Sequence, residues 1–425
     1  MARANVTAQF AATLGDSHTL ATQLSQAKKG KALAPFGRLW CKRPSRTKLR
    51  PRVVAILSES RPGSAPGIIE IDLAALADNY RAMRARAHGA EVAAAVKADA
   101  YGLGADQVGP ALWSAGCRSF FVASLAEGAA LRQVLPEAAI LVLNGLMADD
   151  EAAYEEFGLR PVLNDTDQVD RWEAFCRQRN ARFAAALHVD TGFNRLGLPV
   201  AEAEAVAGRG PLGFDVTCVM SHLACARQPE HPKNSEQLAQ FRRVTRLFPR
   251  FRASLANSAG VLLGASFCFD LARVGIALYG GNPLADASGA LKPVVRLSAL
   301  VLQERVVMAG ETVGYDASFV ADRQTRLAVI GAGYADGWPT SASGRGACML
   351  GDVRVPFVGR VSMDLIALDV TDAPAGSATA GSLVDLIGPR WSLDDAADAA
   401  GLISYELLTG LSRRFERRYV MADAG

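Results

Sequence analysis

From Gly67 onward the chain alternates two kinds of hydrophobic spacing. Short continuous apolar runs are separated by stretches in which apolar residues return every third or fourth position. "IIEID" has the first character and predicts a strand. "LAALADNYRAMRAR" has the second: Leu73, Leu76, Tyr80 and Met83 share one helical face, and Asp72 is placed to cap the helix. The runs "VAAAVK", "RSFFVAS", "AILVLNG", "LRPVLND", "RFAAALHVD", "VTCVMSHL", "FRASLA" and "ARVGIALY" follow. Helical stretches such as Leu125 to Val134 and Ser235 to Leu247 separate most of them. Strands alternating with helices imply βαβ units and parallel pairing. Repeated over about 220 residues, this is the size of a (β/α)8 barrel, with a doubly wound open sheet as the alternative. There are about nine candidate strands for eight barrel places, so one, the first, is expected to lie elsewhere.

After Lys292 the texture changes. "VVRLSALVLQERVVMAGETVGYDASF" and "GACMLGDVRVPFVGRVSMDLIALDV" are short alternating runs with Gly-rich turns, the pattern of a mainly antiparallel β-domain. One amphipathic segment, Leu393 to Leu411, is expected to close it. The chain as a whole reads as α/β: a TIM-type (β/α)8 barrel over 67–290, then a mainly β-domain over 291–425.

Composition adds an N-terminal extension. Across 1–66 there are twelve Lys/Arg against two acids, Asp16 and Glu59. The segment has no periodicity and no apolar run long enough for a secretory signal or a membrane span. It reads as a flexible basic tail or an over-extended start; an organelle transit peptide has similar composition. Without it the body is mildly acidic, so the overall net charge of +3 is no argument for a nucleic-acid partner. The seven cysteines form no CxxC pair, which argues against a disulfide framework or a zinc site and fits buried thiols in a reducing cytoplasm.

In a barrel, chemistry gathers at the C-terminal strand ends. Lys97, His188, Asp190, His222, Asn257, Ser258 and Arg273 all fall at such ends. A lysine closing a core strand is paired, deprotonated or covalently used, because an isolated buried ammonium is costly. Lys97 therefore fits either a structural ion pair or a Schiff-base lysine. "VGIALYGG" (Val274 to Gly281) is a late-strand loop of the kind that binds phosphate. Lysine and phosphate loop together suggest pyridoxal phosphate, with aldolase-type chemistry still open.

"AVKADAYGLGA", "HVDTGFNRLG", "SHLA", "NSAG", "RVGIALYGG", "VGYDASF", "GYADGW" and "GRVSMD" occur in this order. Together they resemble alanine racemase, a fold type III pyridoxal phosphate enzyme, from about Gly67 to the C-terminus. The resemblance implies interconversion of L-alanine and D-alanine with pyridoxal 5'-phosphate, supplying D-alanine for peptidoglycan or degrading it. It implies a cytoplasmic homodimer with shared active sites, and neither a nucleic-acid nor a membrane partner.

By the same resemblance, Lys97 holds the cofactor and is the base on one face of the substrate α-carbon. Tyr315, delivered from the other subunit, is similar to the second base. Arg273 resembles the arginine that bonds the pyridine nitrogen, and His222 the histidine linking Tyr315 to Arg273. Tyr101, Ser258, Tyr405 and the backbone of Gly275 and Ile276 match phosphate-binding positions. Arg195 and Met363 match residues near the substrate carboxylate, and Tyr334 a tyrosine at the active-site entrance. Two bases on opposite faces suit a reaction that removes a proton from one side and returns one to the other. Amine and phenol both hold their protons to about pH 10, so the site must lower both.

The sequence departs from the family at His188, where many relatives carry a lysine whose carbamate holds the arginine matched by Arg195. Histidine cannot form that carbamate, so a hydrogen bond from His188 or a bound anion such as chloride takes its place. Ser362 stands where some relatives have cysteine. A non-enzymatic pyridoxal phosphate carrier would lack the β-domain with Tyr315. A fold type III decarboxylase is disfavoured by "RVGIALYGG" and "VGYDASF". A racemase of broader substrate range remains an alternative.

Overall fold

The computed structural model describes residues 65–284 and 291–421. Apart from Ala65 and Pro66, the basic extension 1–66 lies outside the described residues.

The first described segment holds the strands β1 (Gly67–Asp72), β2 (Glu91–Ala95), β3 (Ser119–Val122), β4 (Ala139–Val142), β5 (Arg160–Leu163), β6 (Ala184–Asp190), β7 (Asp215–Met220), β8 (Ala253–Ser254) and β9 (Leu271–Val274), and a two-residue strand, Leu198–Pro199, that pairs with the end of β6. Eight of them, β2 to β9, make a parallel sheet in the order β9-β2-β3-β4-β5-β6-β7-β8. The ring closes between β8 and β9 through Asp270 N–H to Ala253 C=O (3.0 Å) and Arg273 N–H to Ala256 C=O (2.8 Å). The expected barrel is present.

Alternation along the strands divides the core. Ala93, Phe121, Leu141, Val162, Ala186, Cys218, Met220 and Leu271 fill the barrel interior. The intervening positions face the helical ring, where Val92, Ala94, Phe120 and Leu187 belong to the larger core. The helices start where the sequence signals them. Asp72 accepts Ala75 N–H at 2.8 Å, and Asp165 accepts Gln168 N–H at 2.7 Å.

The surplus strand is the first. β1 leaves the 67–290 segment and joins the second sheet, whose other strands are β10 (Val295–Val307), β11 (Thr325–Ile330), β12 (Ala347–Leu350), β13 (Val353–Val358), β14 (Ile366–Asp369), β15 (Leu383–Ile387) and β16 (Glu416–Val420). Their order is β11-β14-β13-β12-β15-β10-β1-β16, and β10 also pairs with β11. β10 is long enough, at 13 residues, to serve both ends of the sheet. β1 runs antiparallel to β10 (Gly67↔Ala299) and parallel to β16 (Ile68↔Glu416). From Gly67 the described chain thus runs first in the second sheet, then through the barrel, and returns. The amphipathic segment 393–411 is made of two helices, Leu393–Ala400 and Ser404–Gly410. Gly401, at φ 72°, ends the first.

β1 ties the two layers together, because Ile69 and Ile71 are fully buried. Ile71→Ala should cost about 2–5 kcal/mol, the usual range for emptying a buried isoleucine site. Urea denaturation measures it, and an unchanged midpoint would show that this strand is peripheral.

Candidate active site

β2 ends at Ala95, and Lys97 opens a turn of unusual backbone. Ala98, Asp99, Ala100 and Tyr101 all have positive φ, between 53° and 59°. For residues with a Cβ this left-handed form costs roughly 1–2 kcal/mol each. The turn closes through Ala100 N–H to Val96 C=O (2.9 Å) and Gly102 N–H to Ala98 C=O (2.7 Å). It brings Lys97 and Tyr101 to one end of the barrel. Burial, and next the charge of Arg195, lower the Lys97 pKa, while Glu127 opposes them. Both effects ease loss of the ammonium proton at the strand end.

Across the barrel mouth, Arg273 is 6% exposed. Its Nη1 donates to Ser254 C=O (3.0 Å) and Oγ (2.5 Å), and its Nη2 to Ser221 C=O (2.5 Å) and His222 Nδ1 (3.2 Å). None of these partners is a carboxylate. Burial pushes its pKa down to about 10. Because the guanidinium donates to His222 Nδ1, the proton of a neutral His222 sits on Nε2. Burial and then Arg273 hold His222 well below the ordinary imidazole pKa, so the neutral form prevails.

Tyr101, Tyr279 and Tyr405 cluster, with ring centroids 4.6 Å (101 to 279) and 5.9 Å (101 to 405) apart. Burial pushes the Tyr405 phenol up to about 12, and Tyr101 also upward, so both remain hydroxyl donors. Beside them Ser258 Oγ accepts Gly275 N–H at 2.9 Å and Ala277 N–H at 3.5 Å. Gly275 is required here: a Cβ would lie 2.3 Å from the Tyr101 hydroxyl oxygen. Ile276 opens the short helical turn that follows.

The loop after β6 is built on Asp190, whose carboxylate accepts the N–H groups of Gly192 (2.8 Å), Phe193 (2.8 Å) and Asn194 (2.9 Å). It places Arg195 over the Phe193 ring (4.2 Å), which in turn leans on His222 (5.5 Å). His188, buried at 8% exposure, shares a 2.7 Å hydrogen bond between Nδ1 and Asn164 Oδ1. Asn164 Nδ2 already donates to Val162 and Leu143 carbonyls, so its oxygen accepts and His188 Nδ1 carries the proton. Burial, then Arg273, lowers His188 to about 4.

The structure brings Lys97, Tyr101, Arg195, His222, Ser258, Arg273, Gly275, Ile276 and Tyr405 to one barrel mouth. It does not bring Tyr315, Tyr334 or Met363 there within the chain. These are 69%, 46% and 52% exposed, and they lie on the second domain. Tyr315 sits in a turn fastened by the Asp316–Arg360 ion pair at 3.0 Å. Tyr334 N–H and Ala335 N–H bond the carbonyls of Ser362 (3.0 Å) and Met363 (2.9 Å). All three residues therefore gather around the short segment 359–363. Among the described residues, Tyr315 makes no hydrogen bond to Lys97, His222 or Arg273.

Sequence reasoning missed Ser254, Ser221, Asn164 and Glu127. The first three act through backbone or through single polar atoms and carry no motif. Glu127 follows Ser124 by three positions, the spacing of a helix-capping pair, and that spacing conceals where its carboxylate goes.

Comparison with known proteins agrees with this geometry. Residues 71–283 match the family described as alanine racemase, N-terminal domain, and residues 294–419 match alanine racemase, C-terminal domain. The alanine racemase of Methylobacterium nodulans is 50% identical over 353 residues, 83% of this chain and 95% of that protein. A catabolic alanine racemase of Agrobacterium fabrum is 48% identical over 368 residues, 86% of this chain and 95% of its own. The crystal structure of alanine racemase from Bartonella henselae with covalently bound pyridoxal phosphate superposes with a TM-score of 0.81 at 40% identity, covering 84% of this chain and all of that one.

The lowered His188 pKa has a thermodynamic consequence. Its stabilising contribution is complete above the ordinary histidine value of 6.5 and is lost as pH falls toward the folded value of about 4. The loss amounts to about 3 kcal/mol at the acid end. Urea midpoints measured between pH 7 and 4.5 should fall, and His188→Gln should flatten the fall. Equal acid sensitivity in the variant would count against a buried neutral His188.

Proposed function

The chain belongs to the alanine racemase family, and we propose that Lys97 and the partner subunit's copy of Tyr315 are its two proton-transfer groups. It is a pyridoxal phosphate-dependent racemase that interconverts L-alanine and D-alanine. Enantiomers have equal free energy, so the same residues serve D-alanine supply and D-alanine breakdown.

The residues at the barrel mouth fit the cofactor. Arg273 spends both Nη groups on protein acceptors, while its Nε–H has none among the described residues. That donor suits the acceptor nitrogen of a pyridine ring. Ser258, the hydroxyls of Tyr101 and Tyr405, and the backbone of Gly275 and Ile276 offer a small, donor-rich cradle for a phosphate. The cationic groups Lys97, Arg195 and Arg273 favour a dianion there. When bound, pyridoxal phosphate supplies an electron-withdrawing ring conjugated to the substrate amine, which acidifies the α-carbon.

The chain's own groups then divide the work. Lys97 anchors the cofactor and moves a proton between its Nζ and the substrate α-carbon on one face. Its lowered pKa makes that amine available as a base. Tyr315 Oη moves a proton on the opposite face. His222 Nε2–H is the donor positioned to favour the charged form of that phenol. Arg273 keeps His222 in this tautomer through Nδ1. Arg195 holds the substrate carboxylate with its guanidinium, the group best matched to a carboxylate. Met363 and Tyr334 border the approach to the site.

The observation that carries the shared-site reading is the separation of the two groups. Lys97 is on the barrel, and Tyr315 is exposed on the second domain. A head-to-tail homodimer completes both sites at once. We place the enzyme in the cytoplasm. The cysteines at 117, 176, 218, 225, 268 and 348 are all free thiols, the usual state in a reducing compartment. Among the described residues, no helix is long and apolar enough to cross a membrane.

Purified protein, pyridoxal phosphate and L-alanine in deuterated buffer should lose the α-proton signal and form D-alanine, and Lys97→Ala should abolish both. Exchange without inversion would overturn the assignment of Tyr315; turnover of serine but not alanine would move the substrate.

Mixed Lys97→Ala and Tyr315→Ala subunits should recover about a quarter of the parent activity, because half the random dimers are hybrids with one intact site. No recovery after confirmed subunit exchange would end the shared-site reading.

A further inference from the structure

We propose that Glu127 is a positioning residue that holds the left-handed turn between Lys97 and Tyr101 in the form the cofactor needs. The inference rests on the functional reading above and concerns a residue to which that reading gives no contact with substrate or cofactor.

Glu127 lies in the first turn of the helix Leu125–Val134, capped by Ser124, whose Oγ accepts Glu127 N–H at 3.3 Å. In a capping box the glutamate carboxylate would turn back to the N–H of the capping serine. Here it does not. Oε1 accepts Ala98 N–H at 2.9 Å, and Oε2 accepts Ala123 N–H at 2.7 Å. One carboxylate thus fastens the residue after Lys97 to the residue that follows β3.

Ala98 is the first of the four left-handed residues. The far end of the turn is well secured. Arg417 donates to Gly102 C=O (3.0 Å), Tyr419 to Leu103 C=O (2.9 Å), and Asp99 Oδ1 accepts Ala105 N–H (2.8 Å). The near end, beside Lys97, is secured through Glu127. Its charge also opposes that of Arg195 at Lys97, so the brace and the electrostatic balance of the amine come from one group.

A carboxamide at this position has a single acceptor oxygen and leaves one of the two N–H groups unpaired. Glu127→Gln should therefore weaken pyridoxal phosphate binding about 10-fold to 100-fold, the effect of losing a charge-assisted hydrogen bond. The fraction of cofactor fixed to Lys97 by borohydride reduction should fall in parallel. Amide exchange across 98–101 in the cofactor-free protein should speed up by about tenfold or more. Glycine adopts positive φ without a Cβ penalty, so Ala98→Gly in the Glu127→Gln background should recover most of the lost binding. Where Glu127→Gln does not fold, Glu127→Asp gives the same test, since the shorter arm reaches only one N–H.

Parent-like exchange and binding in the Glu127 variants would overturn the inference, as would a binding loss that Ala98→Gly leaves uncorrected. A parent protein that binds no pyridoxal phosphate would overturn the functional reading and the role of the turn with it. The exchange data, taken without cofactor, separate the two failures.

Discussion

The site depends on one piece of backbone, the left-handed turn from Ala98 to Tyr101. Four consecutive residues with a Cβ in this form cost about 4–8 kcal/mol together, comparable with the net stability of a whole domain. Such strain persists only where the surroundings over-determine it. That requirement explains an otherwise odd topology. The chain ends by running β16 beside β1, which brings Arg417 and Tyr419 back to the carbonyls of Gly102 and Leu103. The helix Ser404–Gly410 docks on the same turn, where a Cβ on Gly102 would lie 2.9 Å from Leu408 C=O. The second domain is thus a clamp on the barrel's lysine as well as a carrier of Tyr315.

Charge imposes the second constraint. Arg273 is buried against carbonyls, one hydroxyl and one imidazole, and none of its hydrogen-bond partners is a carboxylate. Lys97 and Arg195 add to the same field. A buried cation left without an anion is costly. The carboxylates whose charge reaches Lys97 and His188 are already committed: Glu127 to two N–H groups, Asp190 to three. Compensation is left to a phosphate and to a substrate carboxylate. Burial, and then the same field, keeps both histidines neutral, and neutrality is what lets Arg273 fix the His222 tautomer.

Much of this was legible in the sequence. The barrel followed from alternating strand and helix periods, and the odd first strand from simple counting. Motif residues at strand ends fell where the barrel places chemistry. The left-handed turn was not legible, because "KADAY" contains no glycine and only Asp99 has any tolerance of positive φ. Its stabilisation comes from residues about 30 and 315 positions away, and no local pattern reports that. The break at Gly401 was hidden by an apolar period that continues across it. Glu127 was hidden for the opposite reason, since its spacing from Ser124 has a sufficient local explanation.

The proposed division of the site between two domains has its own physical logic. The two-base reading proposed above places a base on each face of one carbon, and Lys97 is the one that the barrel supplies. On that reading the opposing base, Tyr315, comes from outside the barrel. In this chain Tyr315, Tyr334 and Met363 are held around 359–363 by backbone bonds and by the Asp316–Arg360 ion pair, yet all three project into solvent. Asp316 and Ala317 also take positive φ, 58° and 49°, so the tyrosine is presented on a turn that is itself strained. Backbone strain beneath an exposed aromatic gains nothing for an isolated subunit. A presented ring of this kind gains its purpose from a surface beyond the chain, and in the proposed function that surface is the barrel mouth of a second copy.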